Sequence, residues 1–323
     1  MRNESYKSMM VISIIIIPIL LSCATTQQKQ VESKDANFYF LMGNISMVKG
    51  QYDQAISNYS KAIEINPMFA DAYNNRGNLY GRKGEYDQTI SDCNKALEIK
   101  PRYAEAYFNR GNAYDGKGQY DQAISDYNKA LEINPGFGQA YYNRGLTYAN
   151  KGQNDQAISD YTKALEINPR DAAAYTNRGS CYLEKGQYDL TISDSNKALE
   201  IDIRNPVAYN NRGVAYYHKR EYDQAISDVN KALEINPKFY MPYYNRGRAY
   251  VKKEKYDQAI SDFNKALEIN PRYAACYCDR GYVHYLKRDY DKSWKDINKA
   301  QQLGYQVPPK YLDDLRKASG REK

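Results

Sequence analysis

The stretch AEAYFNRGNAYDGKGQYDQAISDYNKALEINPGF, residues 104–137, decides the fold. Tyr107, Gly111 and Tyr114 follow one another at steps of four and three, the spacing of one helical face, and Ala123, Tyr127 and Ala130 repeat the pattern further on. The spacing predicts two helices, Ala104–Lys117 and Tyr120–Ile133. Gly118 supplies the turn between them, because glycine enters positive φ without steric penalty. Asn134-Pro135 ends the second helix, since proline pushes its predecessor out of helical geometry. Gly111 and Ala123 are small where the helices should approach closely, and the tyrosines fill the gaps beside them.

The same pattern runs outward in both directions. Glycines fall at 43, 77, 111, 145, 179, 213, 247 and 281, each 34 residues from the last, and tyrosines at 39, 73, 107, 141, 175, 209, 243 and 277 keep the same step. Prolines at 67, 101, 135, 169, 237 and 271 obey it too. Copying of one unit explains a composition of 35 Tyr against 7 Phe and 1 Trp. A 34-residue period with these markers resembles the tetratricopeptide repeat. The resemblance implies an all-α, right-handed superhelical solenoid of eight helix-turn-helix repeats over residues 36–307, starting at Ala36, Ala70, Ala104, Gly138, Ala172, Pro206, Tyr240 and Ala274. One helix pair cannot bury its apolar face alone, so stacked neighbours must build the core.

Departures from the pattern carry information. Asp202-Ile203 replaces Asn-Pro, while Pro206 opens the next helix, where its missing donor costs nothing. Residues 308–323 are expected to form a capping helix and tail, with Leu312 and Leu315 turned towards the eighth repeat. Arg76, Arg110, Arg144, Arg178, Arg212, Arg246 and Arg280 precede the glycine in repeats two to eight. Asp92, Asp126, Asp160, Asp194, Asp228, Asp262 and Asp296 recur in the second helices of the same repeats. The expectation is a partly buried arginine–aspartate pair in each, costly to break on one side. The first repeat, with Met42 and Asn58, lacks both.

The amino end is a different kind of sequence. Arg2 and Lys7 precede the apolar run Val11–Leu21, which closes on Leu20-Leu21-Ser22-Cys23. The run is short for a spanning helix and reads as a signal peptide, residues 1–22, with an uncleaved membrane anchor as the alternative. Its end resembles the lipobox of bacterial lipoproteins. That resemblance implies a lipid on Cys23, a polar tether over residues 23–35, and a place in the bacterial cell envelope; Ala24 after the cysteine points to the outer membrane, facing the periplasm. The net charge of +7 is scattered, not clustered into a basic patch, which argues against nucleic acid as a partner.

Function is expected on the first helices, which in this family line the concave wall. Two before each glycine stand Asn75, Asn109, Asn143, Asn177, Asn211 and Asn245. This row resembles the asparagine ladder in the repeats of the protein O-linked N-acetylglucosamine transferase, whose catalytic region has no counterpart here. Amides suit the unpaired backbone of an extended peptide. Asn78 and Asn112, with Phe108, Tyr142 and Tyr244, complete the candidate wall. The same asparagines suit bonds between neighbouring helices, and the same aromatics suit packing between repeats; the sequence leaves both readings open. The columns in which a chaperone-tail carboxylate clamp requires lysine contain none. Gly111–Gly118 nearly spells a phosphate-binding loop, but Gly118 stands in place of its Ser or Thr. Cys276 and Cys278 point to different faces, and His218 and His284 stand in different repeats. No catalytic residue, metal, cofactor or small-molecule substrate is therefore expected. The expected activity is protein or peptide binding beside a membrane, with self-assembly into an envelope structure as the alternative.

Overall fold

The structure is a computed structural model that describes residues 35–321. The expected signal peptide, Cys23 and nearly all of the tether lie outside the described residues, as does the extreme carboxyl end. Seventeen α-helices and no strand make up the described residues. They fall into two compact units that divide after Pro135. The first unit holds α1 (Ala36–Val48), α2 (Tyr52–Ile65), α3 (Ala70–Arg82), α4 (Tyr86–Ile99), α5 (Ala104–Gly116) and α6 (Tyr120–Ile133). The second holds α7 (Gly138–Asn150), α8 (Asn154–Ile167), α9 (Ala172–Glu184), α10 (Tyr188–Ile201), α11 (Pro206–His218) and α12 (Tyr222–Ile235). It continues through α13 (Tyr240–Lys252), α14 (Tyr256–Ile269), α15 (Ala274–Leu286), α16 (Tyr290–Gln302) and α17 (Pro309–Ser319). Within each unit, the two helices of a repeat pack together and the second packs on the first helix of the next repeat.

Local chemistry sets the breaks. Gly118 turns the chain between α5 and α6 at φ +71°. In the last three repeats the same turn is made by Arg220, Glu254 and Arg288 at φ 66°, 58° and 61°, a conformation that costs a residue with a Cβ about 1–2 kcal/mol. The second helices end in Asx turns: the Asn168 and Asn270 side chains accept from Arg170 N and Arg272 N at 3.3 and 3.2 Å. Asp202, which departs from the Asn-Pro pattern, does the same for Arg204 N at 3.0 Å. Asn205 then caps α11 by accepting from Ala208 N at 3.0 Å, with Pro206 in the first turn.

The core of each repeat is the contact between its periodic glycine and the second helix. A Cβ on Gly111 would lie 2.9 Å from the Tyr127 ring and 3.3 Å from the Ala123 carbonyl. Tyr59, Tyr127, Tyr161 and Phe263 are fully buried against these glycines. At the carboxyl end Leu315 is fully buried and Leu312, partly covered, packs on the same cluster of the eighth repeat, as expected; Tyr311 is buried beside them. Tyr311 continues the tyrosine column one period beyond Tyr277, so α17 takes the position of a further first helix.

Candidate functional site

The expected arginine–aspartate pairs form in all seven repeats. Each is bidentate: Arg178 Nε and Nη2 both donate to Asp194 at 2.8 Å, and Arg246 donates to Asp262 at 2.8 and 2.7 Å. The other five repeats have the same geometry between 2.6 and 2.8 Å. The aspartates are buried and the guanidinium lies between two tyrosines of its own helix, at 5.6 Å from the Tyr175 ring and 5.9 Å from Tyr182 in the fifth repeat. The third prong was not foreseen. Arg76 Nη1 reaches back to Ser60, and Arg110 to Asn94, at 2.9 and 2.5 Å. In the second unit Arg178, Arg212, Arg246 and Arg280 reach Thr162, Asn196, Asn230 and Asn264 at 2.5–2.9 Å. A polar residue two places after each aspartate, repeated every 34 residues, was the available signal. Arg76, Arg110, Arg178, Arg212, Arg246 and Arg280 thus each staple their own helix pair and fasten it to the repeat before.

The asparagine row also works between repeats. In the first unit Asn75 Nδ2 donates to Asn44 Oδ1 at 3.2 Å and Asn109 Nδ2 to Asn74 Oδ1 at 3.0 Å, while Asn78 donates to Asn109 Oδ1 at 3.0 Å. Tyr127 donates its hydroxyl proton to Asn112 Oδ1 at 2.8 Å, with Phe108 tilted against the Tyr127 ring at 6.0 Å. In the second unit Asn177 donates to the Tyr142 hydroxyl at 2.9 Å, Asn211 to Ser180 Oγ at 2.8 Å, and Asn245 to Asn210 Oδ1 at 2.9 Å. Asn143 lies half-buried on α7. Asn75, Asn78, Asn109, Asn177, Asn211 and Asn245 thus each place an amide N–H on a neighbouring helix, and each carboxamide carries an accepting oxygen besides. Asn44 shares the column of Asn78 and Asn112, whereas the acceptors Asn74 and Asn210 stand three before the glycine, a column not read as part of the wall's amides.

One cluster breaks the period. Tyr244 donates to Asp279 Oδ2 at 2.9 Å, and Asp279 stands where six earlier repeats have the row's asparagine. Arg248 lies over the Tyr217 ring at 4.6 Å and the Tyr244 ring at 5.6 Å, and meets Asp279 only at 3.9 Å. Burial raises both the Asp279 carboxyl and the Tyr244 hydroxyl above their ordinary pKa values.

The remaining chemistry-bearing residues singled out in the sequence take the following places. Gly111 to Gly116 are helical, so the near-match to a phosphate loop is not a loop. No three or more His, Cys, Asp or Glu side chains are placed to hold a metal ion among the described residues. Cys93, Cys181, Cys276 and Cys278 are buried free thiols, and burial pushes Cys93 and Cys278 up to about 12 and Cys181 to about 11. His218 is stacked on Tyr188 at 4.7 Å and meets Tyr217 edge-on at 5.4 Å. A shallow cleft bounded by Asn196, Tyr209 and Arg212 uses an arginine already committed to Asp228. No helix among the described residues is long and apolar enough to cross a membrane.

No curated protein matches the chain in sequence. Solved structures do resemble it. The Cut9–Hcn1 hetero-tetramer of APC/C matches with a TM-score of 0.63 at 21% identity over 92% of this chain, which spans 59% of that one. A tetratricopeptide repeat protein from Parabacteroides merdae matches with a TM-score of 0.56 at 21% identity, covering 82% of this chain and 98% of that one. YrrB, described as a TPR protein with an unusual peptide-binding site, matches with a TM-score of 0.51 at 30% identity, covering 57% of this chain and 95% of that one. The tetratricopeptide repeat model matches residues 70–103, 104–137, 138–171, 206–239 and 241–273, and related repeat models match 43–84 and 160–192. With more than half of its length matched by that model, the chain belongs to the tetratricopeptide repeat family.

Proposed function

We propose that the chain is a non-catalytic scaffold that holds a partner protein or an extended peptide against the first helices of its repeats, tethered to a membrane by a lipid on Cys23. The observation that carries the binding reading is the row of aromatic rings tied repeat to repeat in the second unit by an amide and a carboxylate: Tyr142 with Asn177, and Tyr244 with Asp279. Rings held by hydrogen bonds lose little freedom on binding, and the amide oxygens beside them can accept from a peptide backbone. A peptide-binding site in YrrB, a relative at 30% identity, supports the same reading. The tether reading rests on the residues before Cys23 and places the chain in the bacterial envelope, at the outer membrane facing the periplasm.

The test is capture. The chain from Ala24 to Lys323, immobilised, is exposed to an envelope extract of its own source, and retained proteins are identified by mass spectrometry. A second bait carries Tyr142→Ala, Asn177→Ala and Tyr244→Ala, after its helical content is shown to match. A partner kept by the first bait and lost from the second supports binding on this wall. A partner kept equally by both sinks the site assignment. Cys23→Ser in the full chain should release the protein from the membrane fraction; retention there contradicts the lipid tether.

A further inference from the structure

The first repeat differs from every later one in the chemistry of its outer face. Later repeats use their row residue and their arginine to reach backward, as Asn75 reaches Asn44 and Arg76 reaches Ser60. In the first repeat those two positions hold Leu41 and Met42. Phe38 and Ile45 stand where the second repeat buries Ala72 and Leu79, and Val48 stands where later repeats carry Arg82, Gly116, Asn150, Glu184, His218, Lys252 and Leu286. The five side chains recur at helical spacing along α1, with exposures from 36% at Met42 to 84% at Val48. The other side of α1 is already buried through Gly43 against Tyr59, so the helix is apolar on both sides. Such a helix belongs between two covers.

We propose that this stripe of α1 docks on the surface of a lipid bilayer; the inference rests on the tethered reading above. The chain between Cys23 and Asp35 can span at most about 40 Å, so a lipid on Cys23 keeps the stripe beside the bilayer. That intervening segment offers only Ala24 and Val31 as apolar residues and cannot cover the stripe itself. The exposed apolar area is on the order of 450 Å². A lipid on Cys23 holds a bilayer within reach of it at any protein concentration, whereas a second copy must be met by diffusion. A helix lying in the interfacial plane with Phe, Leu, Met, Ile and Val sunk among the headgroups uses the stripe fully.

The test uses residues 24–323, which contain every described helix and neither leader nor lipid, floated with vesicles of phosphatidylethanolamine and phosphatidylglycerol. The parent should rise with the vesicles. Leu41→Gln with Val48→Gln should lower the bound fraction at least tenfold, with the urea midpoint unchanged because neither side chain is packed. A parent that stays at the bottom, or a variant that binds as well as the parent, overturns the proposal. A parent that sediments as a dimer and a variant that sediments as a monomer assign the stripe to a second copy and overturn it equally. Vesicle binding by this unlipidated chain does not depend on Cys23, so loss of the tether reading alone is read separately from the Cys23→Ser fractionation.

Discussion

The two ends of the array are finished differently. At the carboxyl end, α17 occupies the place of a next first helix: Tyr311 and Leu315 are buried, and Arg321 donates to Asp291 at 2.8 Å. That bond repeats the step by which Lys83 and Lys117 hold Asp53 and Asp87 of the preceding repeats. The outer face of α17 shows Lys310, Asp313, Arg316 and Lys317 to water. At the amino end, α1 shows Leu41, Ile45 and Val48 instead. The contrast teaches what the periodic polar residues are for. They answer a neighbour, and in α1, the first described helix, apolar side chains stand in their place.

The largest expected effect separates stapled repeats from the unstapled one. Asp262→Ala leaves the Arg246 guanidinium half-buried without its carboxylate and should cost about 3–5 kcal/mol. Replacing Arg246 by Met and Asp262 by Leu together should cost much less, because no charge is stranded. Asn58→Ala in the first repeat removes only a 3.4 Å bond to Ser46 and should cost about 1 kcal/mol. Urea unfolding followed by circular dichroism compares all three, and equal costs for the single and double variants would break the comparison. Next come the leucines of the two ends. Leu315→Ala empties a fully buried site and should cost about 2–5 kcal/mol, whereas Leu41→Ala should stay within about 0.5 kcal/mol.

The same rule separates neighbours. Tyr127 gives its proton to Asn112, but Leu146 stands in that place in the fourth repeat and the buried Tyr161 hydroxyl has no partner. Tyr127→Phe should therefore cost about 1 kcal/mol and Tyr161→Phe nothing, or stabilise. A cost at Tyr161 equal to that at Tyr127 would contradict the reading. The smallest expected effect is at the turns. Arg220→Gly relieves a left-handed backbone and should raise stability by about 1 kcal/mol, read as a shift in thermal midpoint.

Much of this was legible in the sequence because one unit is copied. The 34-residue step fixed the helix pairs, and the paired columns of arginine and aspartate foretold the bidentate contacts. Their third prong escaped notice because its acceptor changes identity among Ser60, Asn94 and Thr162 while keeping its place. The turn at Gly118 was read from residue type, yet Arg220 adopts the same φ, since the surrounding helix pair outweighs a cost of about 1–2 kcal/mol. At the carboxyl end apolarity pointed to Leu312 and Leu315, and the tyrosine period adds Tyr311 to the same cluster. For the candidate wall, the sequence left peptide contact and contact between helices open. The geometry shows the amide nitrogens engaged between helices, and what the oxygens and rings bind is a question for a partner.

The most direct measurement is hydrogen exchange on the chain with and without the captured partner. Slowed exchange on the first helices of the second unit, from Gly138–Asn150 to Tyr240–Lys252, with the second helices unchanged, is the predicted result. Protection confined to second helices such as Asn154–Ile167 and Tyr256–Ile269 would contradict a scaffold that binds along this wall.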